Sequence, residues 1–405
     1  MRINNLSPAL GTILLYICLT SLCISPAFAL GEGARNLLLI ALMGISPIIF
    51  VIYPVWGKLD NMVIMLLMAT IVVPLLNHPE TMRYSTVLYT CMFFLYFMVV
   101  FRLLHFSDIS IDKYAKLLKI LILSYSLVLL IQQFCVLTGL PIFNVSNYNH
   151  LEPWKLNSLM SEPEHSGRMV GLLMFSYLIM QDNIYGRRLT FLESWKYDKL
   201  VWIAFLWSML TMFSAGAYLF LVLVILKFLN RRKLVPLVCI LISLVYIATL
   251  LEIQPFMRTY NLVVSIFSFD INEIYRTDQS GALRFIPSMI CIERIDLSTV
   301  DGWFGHGIDY VQSFIYQYLP GVNKGYVGGG AFQYALDYGF LNFCIYSCFS
   351  FYACFNKEHK IVSVLFWAFS VLLNGINTQL AWSTIILLFC NKEIVRINSF
   401  NALKV

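Results

Sequence analysis

Charge is what this 405-residue chain has least of: only 12% of it is Asp, Glu, Lys or Arg, against about 25% in an ordinary soluble domain. Hydrophobic residues make up 59%. A soluble fold has nowhere to bury that much apolar surface, so a soluble globular domain is excluded. The strict alternation of a membrane β-barrel is missing as well. None of the ten cysteines belongs to a Cys-x-x-Cys pair, and almost all lie inside apolar runs. No disulfide framework follows from that pattern; Cys344 and Cys348, a helical turn apart, read as packing residues. No internal repeat, low-complexity tract or metal-ligating cluster stands out. Short, Gly/Pro-broken spans in corresponding halves are also lacking, which argues against an inverted-repeat transporter.

What is there is a series of apolar runs of roughly 20 residues, long enough to cross a ~30 Å hydrocarbon core. Backbone groups in lipid must be satisfied within the segment, so these runs predict α-helices. They fall at about 8–30, 36–56, 61–77, 85–104, 117–140, 167–181, 199–213, 216–230, 234–252, 331–354, 361–376 and 378–391. The fold class is thus an all-α polytopic integral membrane protein of about twelve spans. The first run ends in Ala27-Phe28-Ala29, which looks like a signal-peptidase site. Its apolar part is longer than a usual signal core, so it reads as an uncleaved span.

Alternating from an inside N-terminus puts 19 of the 28 Lys and Arg residues on one side. The short loops with clustered charge, 113–119, 187–199 and 227–233, all fall there. By the positive-inside rule that side is cytoplasmic, and so are both termini. The formal charge of +6 is explained by topology and calls for no nucleic acid. The chain then divides into spans one to nine (1–252, with a shorter outer loop at 141–166), a large outer loop (253–330), and spans ten to twelve with a tail (331–405). Long loops of this kind are usually functional.

Chemistry is sought in the polar residues of the outer side. In Ser161-Glu162-Pro163-Glu164-His165-Ser166-Gly167-Arg168, Ser161 and Glu164 read as a capping box, Pro163 suits a first helical turn, and Glu164 can pair with Arg168. That leaves Glu162, His165 and Arg168 at the mouth of the sixth span, where ionisable groups are costly unless they line water or bind something. Thr211 to Ala217 reads as a tight outer turn. The large loop holds five Lys/Arg against seven Asp/Glu, so it is no polybasic patch. Isolated arginines such as Arg276 and Arg284 suit bidentate capture of a phosphate; pairing of Arg276 with Glu273 or Asp278 is the bland alternative. Arg284 precedes a helix-like run at 285–295. In Gly302-Trp303-Phe304-Gly305-His306-Gly307-Ile308-Asp309-Tyr310, the glycines permit close backbone approach and Trp303 and Tyr310 offer flat faces for a sugar ring. His306 reads equally as an ordinary loop histidine. No strand–turn–helix context supports a nucleotide site here.

The arrangement resembles the bacterial O-antigen polymerase and O-antigen ligase superfamily, multispan C-type glycosyltransferases with one large periplasmic loop late in the chain. Glu162-Pro163 is similar to the family's Glu-Pro-Ser segment, with Glu164 where the serine often stands. Ser214-Ala215-Gly216-Ala217 resembles its Ser-Arg-Gly-Ala turn, with Ala215 in place of the arginine. Arg284 resembles the arginine that opens the long loop's helix, and Gly305-His306-Gly307 the Gly-x-Gly that follows. Ligases carry a His-Asn pair about eleven residues before a glycine; counting back from Gly339 finds Gly328 and Gly329 instead. That departure favours polymerase over ligase.

The resemblance implies a metal- and nucleotide-independent polymerase in the bacterial inner membrane. It would join oligosaccharide repeat units carried on undecaprenyl diphosphate into O-antigen, capsular or other surface polysaccharide at the periplasmic face. A chain-length regulator and a flippase would be its partners. Arg284, Arg168 and Arg276 would hold the diphosphate, and Glu162 or His165 would act as acceptor base. Trp303, Tyr310 and His306 would contact the saccharide. Transfer of polymer to lipid A core is the alternative, and a polysaccharide-unit transporter is the alternative from another class.

Overall fold

The computed structural model describes residues 7–27, 36–53, 55–57, 59–145, 148–229, 270–277 and 279–402, with isolated positions at 243, 261, 264, 265 and 268. Every regular element among them is helical. The first group comprises α1 (Pro8–Cys23), α2 (Leu37–Ile52), α3 (Asp60–Asn77), α4 (Tyr84–Phe106), α5 (Ile111–Thr138), α6 (Pro163–Ile184), α7 (Phe191–Tyr197), α8 (Lys199–Thr211) and α9 (Ala215–Leu226). Four short or medium helices follow: α10 (Ile271–Thr277), α11 (Gln279–Glu293), α12 (Val300–Phe304) and α13 (Tyr310–Phe314). The last group is α14 (Gly330–Tyr338), α15 (Phe340–Cys354), α16 (Lys360–Trp367) and α17 (Gln379–Ala402). Three helices, α3, α4 and α5, are long and apolar enough to cross a membrane. The shorter helices α1, α2, α8, α9, α15 and α16 are apolar too. The expected ninth span, 234–252, lies outside the described residues except for the isolated position 243.

Local chemistry sets the helix ends. Ser110 caps α5 by accepting from Lys113 N at 3.2 Å, and Gly139, at φ 72°, ends it in the left-handed conformation that suits glycine. Over its 28 residues, α5 spans about 42 Å at 1.5 Å per residue. Its two faces differ: Tyr125 and Leu129 are buried, whereas Leu127, Phe134 and Leu137 are exposed apolar side chains, as expected of a helix lying against lipid. The helix α7 opens with a capping box between Thr190 and Glu193.

The bundle is built around α4 and α6. The helix α6 packs on α5, α9 and α17, and α4 packs on α1, α2, α3 and α17. Trp382 of α17 sits between Phe93 and Phe94 of α4, with ring centroids 5.6 and 5.4 Å away. Ion pairs gather at one end: Asp60 with Arg102, Lys119 with Asp198, and Asp182 with Lys227. At the other end lie His78, Arg83, Arg168 and Asn374.

The stretch expected as a large loop is a small helical cap over the parts described. Ile274, Ala282, Ile286, Ile290, Val311 and Ile315 form a second apolar core, to which Leu336 of α14 contributes. Helix α11 begins six residues before the run expected at 285–295, because Gln279 to Leu283 continue the turn that buries Ala282.

The expected span 331–354 breaks at Gly339, which has φ +96°. Leu336 O, whose partner in an unbroken helix would be residue 340, instead accepts from His306 N at 2.8 Å. Tyr338 O accepts from Asn342 Nδ2 at 2.7 Å. With both freed carbonyls satisfied, the break leaves no orphan acceptor at these positions. The expected span 361–376 likewise ends early, in a π-helical turn from Ala368 to Leu372.

Candidate functional site

The mouth of α6 is built around Arg168. Pro163 takes the first helical position and Glu162, extended at φ −140°, is the N-cap residue, with no side-chain cap bond. The capping box expected between Ser161 and Glu164 is therefore replaced: the cap falls one residue later, and Ser161 Oγ lies 3.3 Å from His165 Nδ1. The expected Glu164–Arg168 pair is present. Arg168 Nη1 also donates to Asn374 Oδ1 at 3.3 Å, and its guanidinium stands 6.0 Å from the Phe220 ring of α9. Arg168 is only 15% exposed and Glu164 9%, so the pair is drawn largely out of water.

The turn before α9 makes this possible. A side chain at Gly216 would meet Glu164 Cγ at 2.5 Å; only a bare backbone lets the carboxylate lie against α9. The tight connection expected over Thr211 to Ala217 is present: α8 ends at Thr211, Ser214 is the N-cap residue of α9, and the first turn of α9 forms one wall of the Arg168 environment.

A second polar group lies where the cap meets the α3–α4 turn. Asn77 Nδ2 donates to Asp301 Oδ1 at 3.2 Å and to Gly305 O at 2.7 Å. His78 Nε2 is 3.2 Å from Asp301 Oδ1, and its Nδ1 is 3.0 Å from Glu80 Oε1. Arg83 pairs with Asp309 at 3.0 Å. His306 packs edge-on against Tyr310, with centroids 4.6 Å apart. Its Nδ1 is buried without a hydrogen-bond partner among the described residues.

The electrostatics of this group follow from its contacts. Burial alone would lower the pKa of His78, but its bonds to Glu80 and Asp301 outweigh that and raise it. Burial lowers the pKa of His306, against the pull of Asp301. For Asp301, burial acts upward, and the bonds from His78 and Asn77 more than reverse it, so the carboxyl sits below its usual range.

The other expected site residues are spread over the cap. Trp303 is 42% exposed, donates its indole N–H to Leu297 O at 2.9 Å and meets Phe340 edge-on at 5.9 Å. Tyr310 packs between His306 and Phe314. Arg276 is exposed on α10, and no ion pair among the described residues joins it to Glu273, which accepts instead from Ser268; Asp278 lies outside the described residues. Arg284 occupies α11, but its side chain lies outside the described residues. Tyr326 OH donates to Leu283 O at 3.0 Å, tying α11 to the exit of the cap.

Helix α14 relates the two groups. Its first residue, Gly330, rests against the carbonyls of Leu372 and Leu373, next to Asn374. Its far end holds the Leu336 carbonyl that receives His306 N. Nine residues separate the two ends by on the order of 12 Å. Arg168 is thus related through Asn374 to one end of α14, and His306, Trp303 and Tyr310 lie near the other.

Several participants lie outside the residues expected from sequence. His78 stands at the mouth of a span just as His165 does, and the same cost argument singles it out. Asn374, Asn377, Thr378 and Gln379 form a polar run between two apolar ones. Asn377 accepts from Thr90 at 2.6 Å, and Gln379 donates to Leu22 O and Ile24 O, each at 2.8 Å. No family model, curated protein or solved structure matches this chain.

Proposed function

We propose that the chain is an oligosaccharide repeat-unit polymerase of the bacterial inner membrane, with both termini cytoplasmic and the Arg168 end facing the periplasm. The observation that favours this reading is the placement of Arg168: a largely buried guanidinium at the mouth of a span, held in a fixed direction by Glu164 and Asn374. A planar donor fork of this kind suits an oxygen-rich diphosphate.

In the reaction, a hydroxyl at the non-reducing end of a new lipid-linked unit attacks the anomeric carbon of the growing chain. The bond from that carbon to the diphosphate oxygen breaks, and undecaprenyl diphosphate leaves with the bonding electron pair. Arg168, with Arg284 and Arg276 from the cap, stabilises the charge that develops on the leaving diphosphate. The acceptor's proton passes to Glu162 or His165. Trp303, Tyr310 and His306 receive the saccharide, and a flippase and a chain-length regulator act with the protein.

The test is replacement of Arg168 and of Arg284 by Ala, with the amount of protein in the membrane checked. Loss of long-chain polysaccharide is expected, and normal chains in both variants would sink the assignment. A gel of lipopolysaccharide from a deletion strain separates this from transfer to lipid A core. Polymerase loss shortens the polymer, whereas ligase loss leaves it unattached.

A further inference from the structure

We infer that Asn374 is a positioning residue for Arg168, and that it ties the direction of that guanidinium to the seat of the cap. The inference rests on the polymerase reading, because Arg168 is the group through which Asn374 would act.

The reasoning begins with the π turn at Ala368–Leu372. Such turns leave carbonyls without their usual helical donors and recur at functional sites. Here Asn374 Nδ2 donates to Phe369 O at 3.1 Å and to Ser370 O at 3.0 Å. Both protons of the amide nitrogen are thereby engaged, which fixes which way round the amide lies. Its oxygen must then point away from the turn, and there it accepts from Arg168 Nη1 at 3.3 Å. Glu164, lying against Gly216, and the Phe220 ring place the guanidinium relative to α9. Asn374, from the link between α16 and α17, refers it to the turn on which the cap rests.

The same turn is where the cap rests. Gly330, the first residue of α14, has φ +61°, and a side chain there would run into Leu372 O at 2.5 Å. The cap's exit and Arg168 are therefore both referred to one short segment, Leu372 to Asn374. A shift of the cap on that segment would be felt at the guanidinium through the Asn374 amide.

The experiment is a double-mutant cycle on the full-length protein, using lipid-linked repeat unit extracted from a strain lacking this protein. Wild type, Asn374→Ala, Arg168→Ala and the double variant are compared for kcat, KM and Tm. Asn374→Ala is expected to lower kcat at least roughly tenfold with little change in KM, as loss of an orienting hydrogen bond to a charged group would. In the Arg168→Ala background the same change should do nothing further. Asn374→Gln, which keeps the amide but moves its oxygen by one methylene, covers the case in which the alanine variant does not fold; it should keep the wild-type Tm and lose kcat. Full kcat in a folded Asn374 variant, or an equal loss with and without Arg168, would overturn the inference alone. A wild-type protein that does not lengthen the unit would overturn the polymerase reading together with it.

Discussion

His78 Nε2 lies 3.2 Å from Asp301 Oδ1, joining residues 223 positions apart and clipping the cap to the α3–α4 turn. Because its contacts raise the His78 pKa, the folded state holds this proton more tightly than the unfolded chain, whose histidines titrate near about pH 6.5. The clip's contribution is therefore complete below that value and is lost as pH rises through the folded pKa. His306 is shifted the other way, so both its states are neutral above about pH 6.5 and it adds nothing to that window. Asp301 is 46% exposed, so the effect should stay under about 1 kcal/mol. Amide-exchange protection of residues 300–310, corrected for intrinsic exchange, should fall as pH rises above about 6.5. His78→Gln should remove the pH dependence; an equally steep fall in that variant would exclude His78 as its source.

Gly305 and Gly339 are the crossing point of the cap and the broken span. Gly305 has φ +91°, and a side chain on it would press on Asp337 O at 2.5 Å. Gly305→Ala combines the strain of a backbone conformation open essentially to glycine alone (φ 91°, ψ 152°), about 1–3 kcal/mol, with that collision. A lower Tm is expected, with faster cleavage by added protease within 299–310. An alanine variant as stable as wild type would mean that the loop does not cross there. By contrast Gly139→Ala, where a side chain would meet no described atom within 4 Å, should lose only a left-handed backbone penalty of about 1–2 kcal/mol.

The parts of this architecture legible in the sequence are those set by local chemistry. Apolar runs mark the helices, and Glu164 and Arg168 pair because they are one turn apart; the run expected at 117–140 misses the first turns of α5, which begin at Ile111 and carry Asp112, Lys113 and Lys116. What escapes is set by distant partners. The break at Gly339 depends on His306 N reaching Leu336 O, and no periodicity in 331–354 reports a donor some thirty residues upstream. The cap's core escapes for a related reason: Ile286 lies on a run that reads as a helix, but its partner Val311 lies on a five-residue helix too brief to show a pattern alone. Asn374 escapes too, since it falls inside the span expected at 361–376 and its partners are set by the π turn and by α6.

Trp303 offers a test of where the saccharide sits. Its indole N–H is held by Leu297 O, while the side chain stays 42% exposed. On the polymerase reading, Trp303→Ala should raise KM for the lipid-linked unit by roughly threefold to tenfold, the range of an aromatic contact of about 0.5–1.5 kcal/mol, and leave kcat nearly unchanged. An unaltered KM would assign the ring to packing against Phe340 alone.

The opposite end of α6 carries a different prediction, because its charges are buried without lining a site. Lys227 Nζ is 3.0 Å from Asp182 Oδ2, and His359 Nε2 is 3.4 Å from the same oxygen. Asp182 Oδ1 also accepts from Leu189 N at 3.0 Å, and Arg188 donates to Lys227 O. The side chains of Lys227 and His359 are each 1% exposed and that of Asp182 6%, so a carboxylate left behind here would have no water to turn to. Lys227→Met should destabilise the protein by about 3–5 kcal/mol, read as a large drop in Tm in detergent. Adding Asp182→Leu should restore most of that loss, since replacing both members of a buried pair with apolar groups is often close to neutral. The fourteen residues from Arg168 to Asp182 place the pair about 21 Å along α6 from Arg168, so the double variant should keep the wild-type KM for the lipid-linked unit. A double variant that folds but loses KM would show that the two ends of α6 are coupled, and a Lys227→Met variant of unchanged Tm would mean that the Asp182 carboxylate is already solvated or protonated.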